Sequence, residues 1–284
     1  MNQVFAYRAN RILYNFIRSN NINGTVLLPS NICKDVVEVL KYVGLTLKFL
    51  DISKNTLCID KNQIKENIHS ASLLLFVHTY GTERCFDDFF LELKLINPSL
   101  IIVDDRCLCI PDLKIQSSSA DLVLYSTGEK KQVDLGKGGI GYVSQNYNYE
   151  EIEIKDSSCL TNELWEFDEE IFETKKKEVL KHKEKLNSIY FEKLSSVNQL
   201  HKEFQNWRFN ILTDKKEQVL KALFAEGLFA SSHYAPHTYI HTYIHTYIHA
   251  AELHKNVINL FNDLYYSEEQ ALRTCEIIKK IIIP

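Results

Sequence analysis

The stretch ADLVLYSTGEKKQVDLGKGGIGYV, residues 120–143, holds the side chains best suited to chemistry. An apolar run of strand length over 121–125 breaks into Ser126, Thr127 and Gly128. Lys130 and Lys131 follow, and a glycine-rich turn over 136–141 leads into a second apolar run. A buried strand that delivers a hydroxyl and then an amine into glycine-lined space suits covalent capture of a carbonyl compound carrying an anionic group. A lysine amine becomes a nucleophile when a dry pocket or a neighbouring cation lowers its pKa, and Schiff-base formation is the reaction it then performs. The same residues also read as a solvated hairpin with two surface lysines, since lysine is seldom buried without a reason.

Such side chains can act together only if the elements before them converge. Helical spacing predicts a helix over 7–17, with Asn10 able to cap it. A short apolar strand over 25–29 ends at a proline, and a helix beginning at Asn31 stops at Gly44. A strand over 45–52 and a helix over 60–68 come next. A strand over 73–77 ends in His78, Thr79, Tyr80 and Gly81; a helix over 86–96 is stopped by Pro98. A strand over 100–103 ends in Asp104 and Asp105. Continuous Val/Ile/Leu strands alternating with helices predict a mostly parallel sheet flanked by helices on both faces. Ligands bind beyond the carboxyl ends of such strands. Ser30, His78 to Gly81, the acidic pair and Ser126 with the lysines therefore converge on one rim.

After about residue 150 the pattern weakens. An acidic connector over 150–173 leads to a long charged helix over 172–194 whose Lys175 to Lys185 run alternates with Glu178 and Glu184. A strand over 207–212, a helix over 215–226, a strand over 228–233 and a terminal helix over 267–283 capped by Ser267 complete a second, smaller α+β layer. The expected division is 1–165 and 166–284.

The chain has 284 residues, 45% hydrophobic and 25% charged, the make-up of an ordinary globular protein. A formal net charge of -4 gives no electrostatic case for nucleic acid. No apolar run is long enough to span a membrane and no signal-peptide layout opens the chain, so a cytoplasmic protein is expected. Seven cysteines at irregular spacing agree. Cys107 and Cys109 match neither a redox nor a zinc pair, and reduced, buried thiols are expected. The repeat HTYIHTYIHTYIH, 237–249, sets His237, His241, His245 and His249 at i, i+4, a spacing that can chelate zinc on a helix. Its threonines, tyrosines and isoleucines repeat as perfectly, which favours a duplicated and tolerated insertion, and no metal is expected.

Five stretches in order resemble the DegT/StrS-type sugar aminotransferases, fold type I enzymes dependent on pyridoxal 5'-phosphate (PLP). They are VLLPSNICKDVVEVLKYVGLTLKFLDI (26–52), LLLFVHTYG (73–81), LIIVDD (100–105), DLVLYSTGEKKQVDLGKGG (121–139) and EGLFASSHYAP (226–236). The resemblance implies Lys131 as the lysine that bonds PLP and moves the proton, with Lys130 the fallback. It implies Asp105 against the pyridine nitrogen and Ser126 on the phosphate, with Asn10 and Arg11 near it. His78 would line the pocket, and Tyr80, His233 and Tyr234 would face substrate. The implied activity is amino transfer, with glutamate the usual donor, to a nucleotide-linked keto-sugar in surface-polysaccharide or amino-sugar biosynthesis, by a homodimer. Two departures stand out. The family's usual glutamine is Leu108 here, and its cross-subunit segment is not recognisable in 144–164. A PLP-dependent sugar dehydratase and a non-enzymatic relative are the alternative readings.

Overall fold

A computed structural model describes residues 1–155, 157, 159–237 and 247–283. Ten strands and eight α-helices follow one another along these residues. They are β1 (Asn2–Ala6), α1 (Ala9–Ser19), β2 (Thr25–Pro29), α2 (Lys34–Tyr42), β3 (Thr46–Leu50), α3 (Lys61–Asn67), β4 (Leu73–Val77), α4 (Asp87–Ile96), β5 (Ile101–Asp105), β6 (Leu122–Ser126), β7 (Gly139–Val143), α5 (Glu169–Lys193), β8 (Phe209–Leu212), α6 (Lys216–Ala225), β9 (Ala230–Ser231), α7 (Ile248–Asn256), β10 (Val257–Leu260) and α8 (Glu268–Ile282). A seven-stranded sheet runs in the order β1-β7-β6-β5-β4-β2-β3, and a three-stranded sheet in the order β8-β10-β9.

The parallel body expected from the uninterrupted apolar runs is present: β3, β2, β4, β5 and β6 pair in parallel. Each face carries its own core. Ile12, Phe16, Leu28, Leu75 and Leu124 pack with α1 and α2 on one side, and Leu27, Phe76, Phe90 and Tyr125 with α4 on the other. One edge departs from the expectation. The second apolar run becomes β7, antiparallel to β6, and the N-terminal residues add β1 antiparallel to β7. The glycine-rich segment between β6 and β7 is therefore a hairpin connection, and it leaves the Lys131 loop at the carboxyl end of β6.

Helix α1 is held very close to that hairpin. A side-chain carbon added at Gly139 would lie 2.5 Å from the Ala9 nitrogen and 2.6 Å from its Cα, both backbone atoms that cannot yield. Gly138, at φ +112°, bridges to Arg8 and sits beneath the Trp165 ring. This approach sets where the helix begins. Arg8, not Asn10, is the cap residue, no side chain caps the end, and Asn10 lies in the first turn. Helix α2 likewise starts at Lys34 rather than Asn31, with Cys33 as its cap.

The smaller sheet contains a strand that periodicity did not reveal. β10 is only four residues long, follows α7 without a turn and has a buried Asn259 in its middle. Tertiary partners satisfy that amide: Asn259 donates to Asn210 Oδ1 at 2.6 Å and accepts from the His233 amide at 2.8 Å. β10 is the central strand, pairing antiparallel with β8 and β9. Ser267 caps α8 through a reciprocal pair with Gln270. From α5, the buried Lys183 amine donates to the Trp207 carbonyl at 2.9 Å and to Asn262 Oδ1 at 2.7 Å. Burial, with the Arg208 charge nearby, lowers its pKa to about 7.

Residues 238–246 lie outside the described residues, and with them His241 and His245. His237 and His249 are anchored at adjacent strand ends. The His237 amide donates to the Ser30 carbonyl at 2.7 Å, and the His249 amide to Asp51 Oδ2 at 2.9 Å.

Two outcomes follow. Gly139→Ala lowers stability by about 1–3 kcal/mol, because the overlap is with backbone, and a urea melt shows it as a lower midpoint with unchanged slope. Lys183 is charged more readily in the unfolded chain, so stability rises with pH between about 7 and its unfolded value of 10.5. That rise disappears in Lys183→Met, measured as urea midpoints against pH.

Candidate active site

The carboxyl ends of β2, β4, β5 and β6 and the first turn of α1 enclose a cavity of about 290 Å³. Its wall includes Arg8, Asn10, Asn31, Cys33, Asp105, Ser126, Lys130, Lys131, Lys137 and Tyr234. Strands that end at one rim supply most of these. Asn31 follows β2, Asp105 closes β5, and Ser126 closes β6. α1 presents amides with no side-chain cap, and acidic residues are missing from its first turn. Helix-start amides and the side chains of Arg8 and Lys137 together make one flank suited to an anion.

Lys131 and Asp105 face this common space. Lys131 is half-buried, whereas Lys130 beside it is exposed. Burial raises the pKa of the Asp105 carboxyl, opposed by the Cys107 amide that donates to Oδ1 at 2.9 Å and by the charge of Lys131. A buried acid in that state gains from any cation brought against it. Asp104 points to the opposite face of β5, as strand alternation requires. It accepts from Arg106 Nε at 2.6 Å and lies 2.7 Å from His78 Nε2. Ser126 donates to the Gly138 carbonyl at 3.4 Å and accepts from the Gly128 amide at 3.3 Å. Burial pushes the Tyr234 hydroxyl well above its usual value, so it stays protonated.

Of the residues singled out from sequence, Lys131, Lys130, Asp105, Ser126, Asn10 and Tyr234 meet at this cavity. Four others stand elsewhere. Arg11 is on the far side of the first helical turn, paired with Glu151 at 3.2 Å and stacked on Tyr14. His78 is buried behind the rim, with Nδ1 2.7 Å from the Thr82 carbonyl, so both ring nitrogens are engaged away from the cavity. Tyr80 is buried and donates to the His233 carbonyl at 2.5 Å. His233 packs between the Trp207 and Tyr234 rings, at 5.7 and 4.8 Å. Its pKa is lowered by burial and by the charges of Arg208, His254, Lys130 and Lys131, which keeps it neutral. Tyr80 and His233 thus support the wall that Tyr234 completes.

The sequence reading missed Arg8, Asn31, Cys33, Cys107 and Lys137. Asn31 and Cys33 were within reach, since they directly follow a predicted strand end. Arg8 and Lys137 were not, because the strand β1 that brings Arg8 beside Gly138 carries no periodic signal. All seven cysteines are free. Cys58, Cys109 and Cys275 are buried as expected, while Cys33 and Cys107 are half-buried in the cavity wall. Segment 144–155 runs over the chain's own α1, with Tyr149 accepting from Asn15 at 3.1 Å. Among the described residues no cluster of His, Cys, Asp or Glu could hold a metal ion, and no helix is long and apolar enough to cross a membrane.

Residues 9–89 match the family model of the DegT/DnrJ/EryC1/StrS aminotransferase family, which bears out the resemblance read from the sequence. No curated protein matches the chain by sequence. Solved structures match it over nearly all of its length. A DegT DnrJ EryC1 StrS aminotransferase from Brucella abortus superposes with a TM-score of 0.77 at 14% identity, covering 100% of this chain and 87% of that one. DesI in the presence of its TDP-sugar product gives 0.76 at 16% identity over 99% and 80% of the two chains. NtdA from Bacillus subtilis with bound PMP gives 0.73 at 17% identity over 98% and 74%. At these identities the likeness establishes the fold, that of the fold type I PLP-dependent aminotransferases.

Because the folded state favours a protonated Asp105, the ionised carboxylate costs stability once pH exceeds the ordinary carboxylate value. Asp105→Asn keeps the acceptor for the Cys107 amide and removes the charge. Its Tm at neutral pH equals or exceeds that of the parent, and the difference closes as pH falls toward ~4, where both are neutral.

Proposed function

We propose that the protein is a PLP-dependent aminotransferase acting on a sugar. The observation that carries this reading is the meeting of Lys131 and the buried Asp105 in one cavity that Arg8 and Lys137 also line. The residues fit the cofactor on structural grounds. The Asn31 Oδ1 and Ser30 Oγ atoms are buried without a partner, Asp105 is a buried acid in want of a cation, and the uncapped α1 start beside Arg8, Ser126 and Lys137 suits a phosphate. A volume of about 290 Å³ lies at the small end of cofactor-sized pockets, roughly 300–1,000 Å³.

When bound, PLP supplies a conjugated ring that accepts the electron pair left when a proton departs the substrate's Cα. Asp105 would hold the ring nitrogen, and a cation placed there would make its own carboxyl more acidic. Ser126, the first amides of α1 and the Arg8 guanidinium would hold the phosphate. The Lys131 amine would hold the cofactor covalently and, when free, would serve as the base that takes and returns the substrate's proton. The neutral His233 and protonated Tyr234 keep the wall free of charge that would compete for that proton.

Glutamate as donor, a nucleotide-linked keto-sugar as acceptor, a role in surface-polysaccharide or amino-sugar biosynthesis and a cytoplasmic homodimer belong to the same reading. So does a division into a cofactor-binding part, 1–165, and a smaller part, 166–284. DesI with its TDP-sugar product supports the acceptor class. One observation favours a second reading, a relative without turnover. Leu108 has no polar side chain, and its carbonyl is already taken by Gln132 Nε2 at 2.8 Å.

Purified protein loaded with PLP is expected to absorb in the violet, to lose that band on borohydride treatment, and to lack it in Lys131→Ala. Glutamate converts the loaded protein to its amine form with release of 2-oxoglutarate, and Lys131→Ala slows this at least ~100-fold. Protein that stays colourless with added PLP supports the relative without turnover. Colour without amine transfer from any amino acid supports a dehydratase.

A further inference from the structure

Two neighbouring lysines line the same cavity, Lys131 half-buried and Lys130 exposed, and the structure shows what separates their backbones. Lys130 has a left-handed backbone, φ +62°, which costs a residue with a side chain about 1–3 kcal/mol and persists only where the surroundings fix it. Both of its polar backbone atoms are held. Its N–H donates to Asp134 Oδ2 at 2.8 Å, and its carbonyl accepts from the Trp207 indole N–H at 2.8 Å. That carbonyl belongs to the peptide plane that also carries the Lys131 N–H, and this N–H donates to the Gly128 carbonyl at 3.2 Å. A planar peptide fixed at its oxygen and at its nitrogen cannot rotate. The direction in which the chain leaves toward the Lys131 side chain is thereby set.

Trp207 is itself immobilised from several sides. It is 5% exposed, its ring stacks on Tyr80 at 6.4 Å with a 4° interplanar angle, and its amide donates to the Tyr80 carbonyl at 3.3 Å. Its carbonyl accepts from Lys183 at 2.9 Å. The indole N–H is therefore a fixed donor, carried by the segment that leads into the smaller sheet and aimed at the loop of the larger one.

We propose that Trp207 is a positioning residue: with Asp134 it clamps Lys130 in the left-handed conformation, so that Lys131 and not Lys130 turns its amine into the cavity. This rests on the reading of Lys131 as the attachment lysine. Loss of the indole donor frees the Lys130 carbonyl, lets the peptide between the two lysines flip, and removes the distinction between the amines.

Trp207→Phe keeps a ring stacked on Tyr80 and removes only the donor. Wild type and variant are loaded with PLP, reduced with borohydride and digested, and mass spectrometry of the peptides locates the phosphopyridoxyl group. In wild type it is expected on Lys131. In Trp207→Phe the share on Lys130 rises roughly fivefold or more, the scale of one net hydrogen bond, while the urea midpoint stays near that of wild type. Label confined to Lys131 in a folded Trp207→Phe overturns the inference, as does label on Lys130 in wild type. Should Trp207→Phe not fold, Asp134→Ala removes the other half of the clamp; a raised Lys130 share supports the inference and an unchanged one overturns it. If wild type takes up no PLP, the proposed function falls by itself. The inference is then decided by limited reductive methylation with formaldehyde and cyanoborohydride. An unchanged ratio of Lys131 to Lys130 labelling between wild type and Trp207→Phe overturns it, and a ratio lowered severalfold in the variant upholds it.

Discussion

The seat of α1 on β7 is the constraint from which the rest of the site follows. Backbone atoms at Ala9 come so near Gly139 that no side chain fits between them. The first turn of the helix is thereby delivered to the edge of the sheet where β6 ends. Were the separation larger, the uncapped amides would face solvent and Ser126 would have no helix start beside it. The antiparallel pair β6–β7 makes the approach possible, because the hairpin turns back at the level where the helix begins. A crossover to another parallel strand would have left that position empty.

Charge is distributed around the cavity according to burial. Asp105 is enclosed while Lys130 and Lys137 are exposed, so the acid cannot be fully compensated by the amines that surround it. That imbalance suits the site to a ligand with a cation at one end and an anion at the other. Asp104 shows the contrast one residue away: on the opposite face of the strand, Arg106 and His78 complete its hydrogen bonding and leave nothing for a ligand. Two adjacent aspartates thus have different chemistry because alternate strand residues face different neighbours.

The smaller sheet enters the site by support. Tyr234 reaches the cavity, but His233, Trp207 and Tyr80 form a layer of stacked rings and backbone hydrogen bonds that fixes the wall from behind. Buried Asn259 and Asn210 tie that layer to the central strand β10. Polar groups buried in this way are costly unless each is paired. Their pairing across distant parts of the chain makes the position of the smaller sheet relative to the Lys131 loop specific.

The sequence by itself determined the parallel body of the large sheet, because strands buried on both faces must be apolar throughout, and that leaves a visible run of Val, Leu and Ile. It determined the strand-end positions of Asp105 and Ser126 and the lysine pair, since polar residues ending an apolar run mark the rim. It also located most helices, through period and through caps such as Ser267. Tertiary structure alone decided which polar neighbours face the cavity. Arg11 and His78 looked equivalent to Asn10 and Ser126 in the sequence, yet a rotation of about 100° from one helical residue to the next and a second hydrogen-bond partner carried them away. It alone created β1 and β10, whose four or five residues have too little periodicity to declare a strand and are ordered by the partners they pair with. The contrast between Lys130 and Lys131 has the same origin: side-chain chemistry does not distinguish two adjacent lysines, and the contacts that fix the backbone between them, Asp134 with the Lys130 amide and Trp207 with its carbonyl, form only in the folded chain.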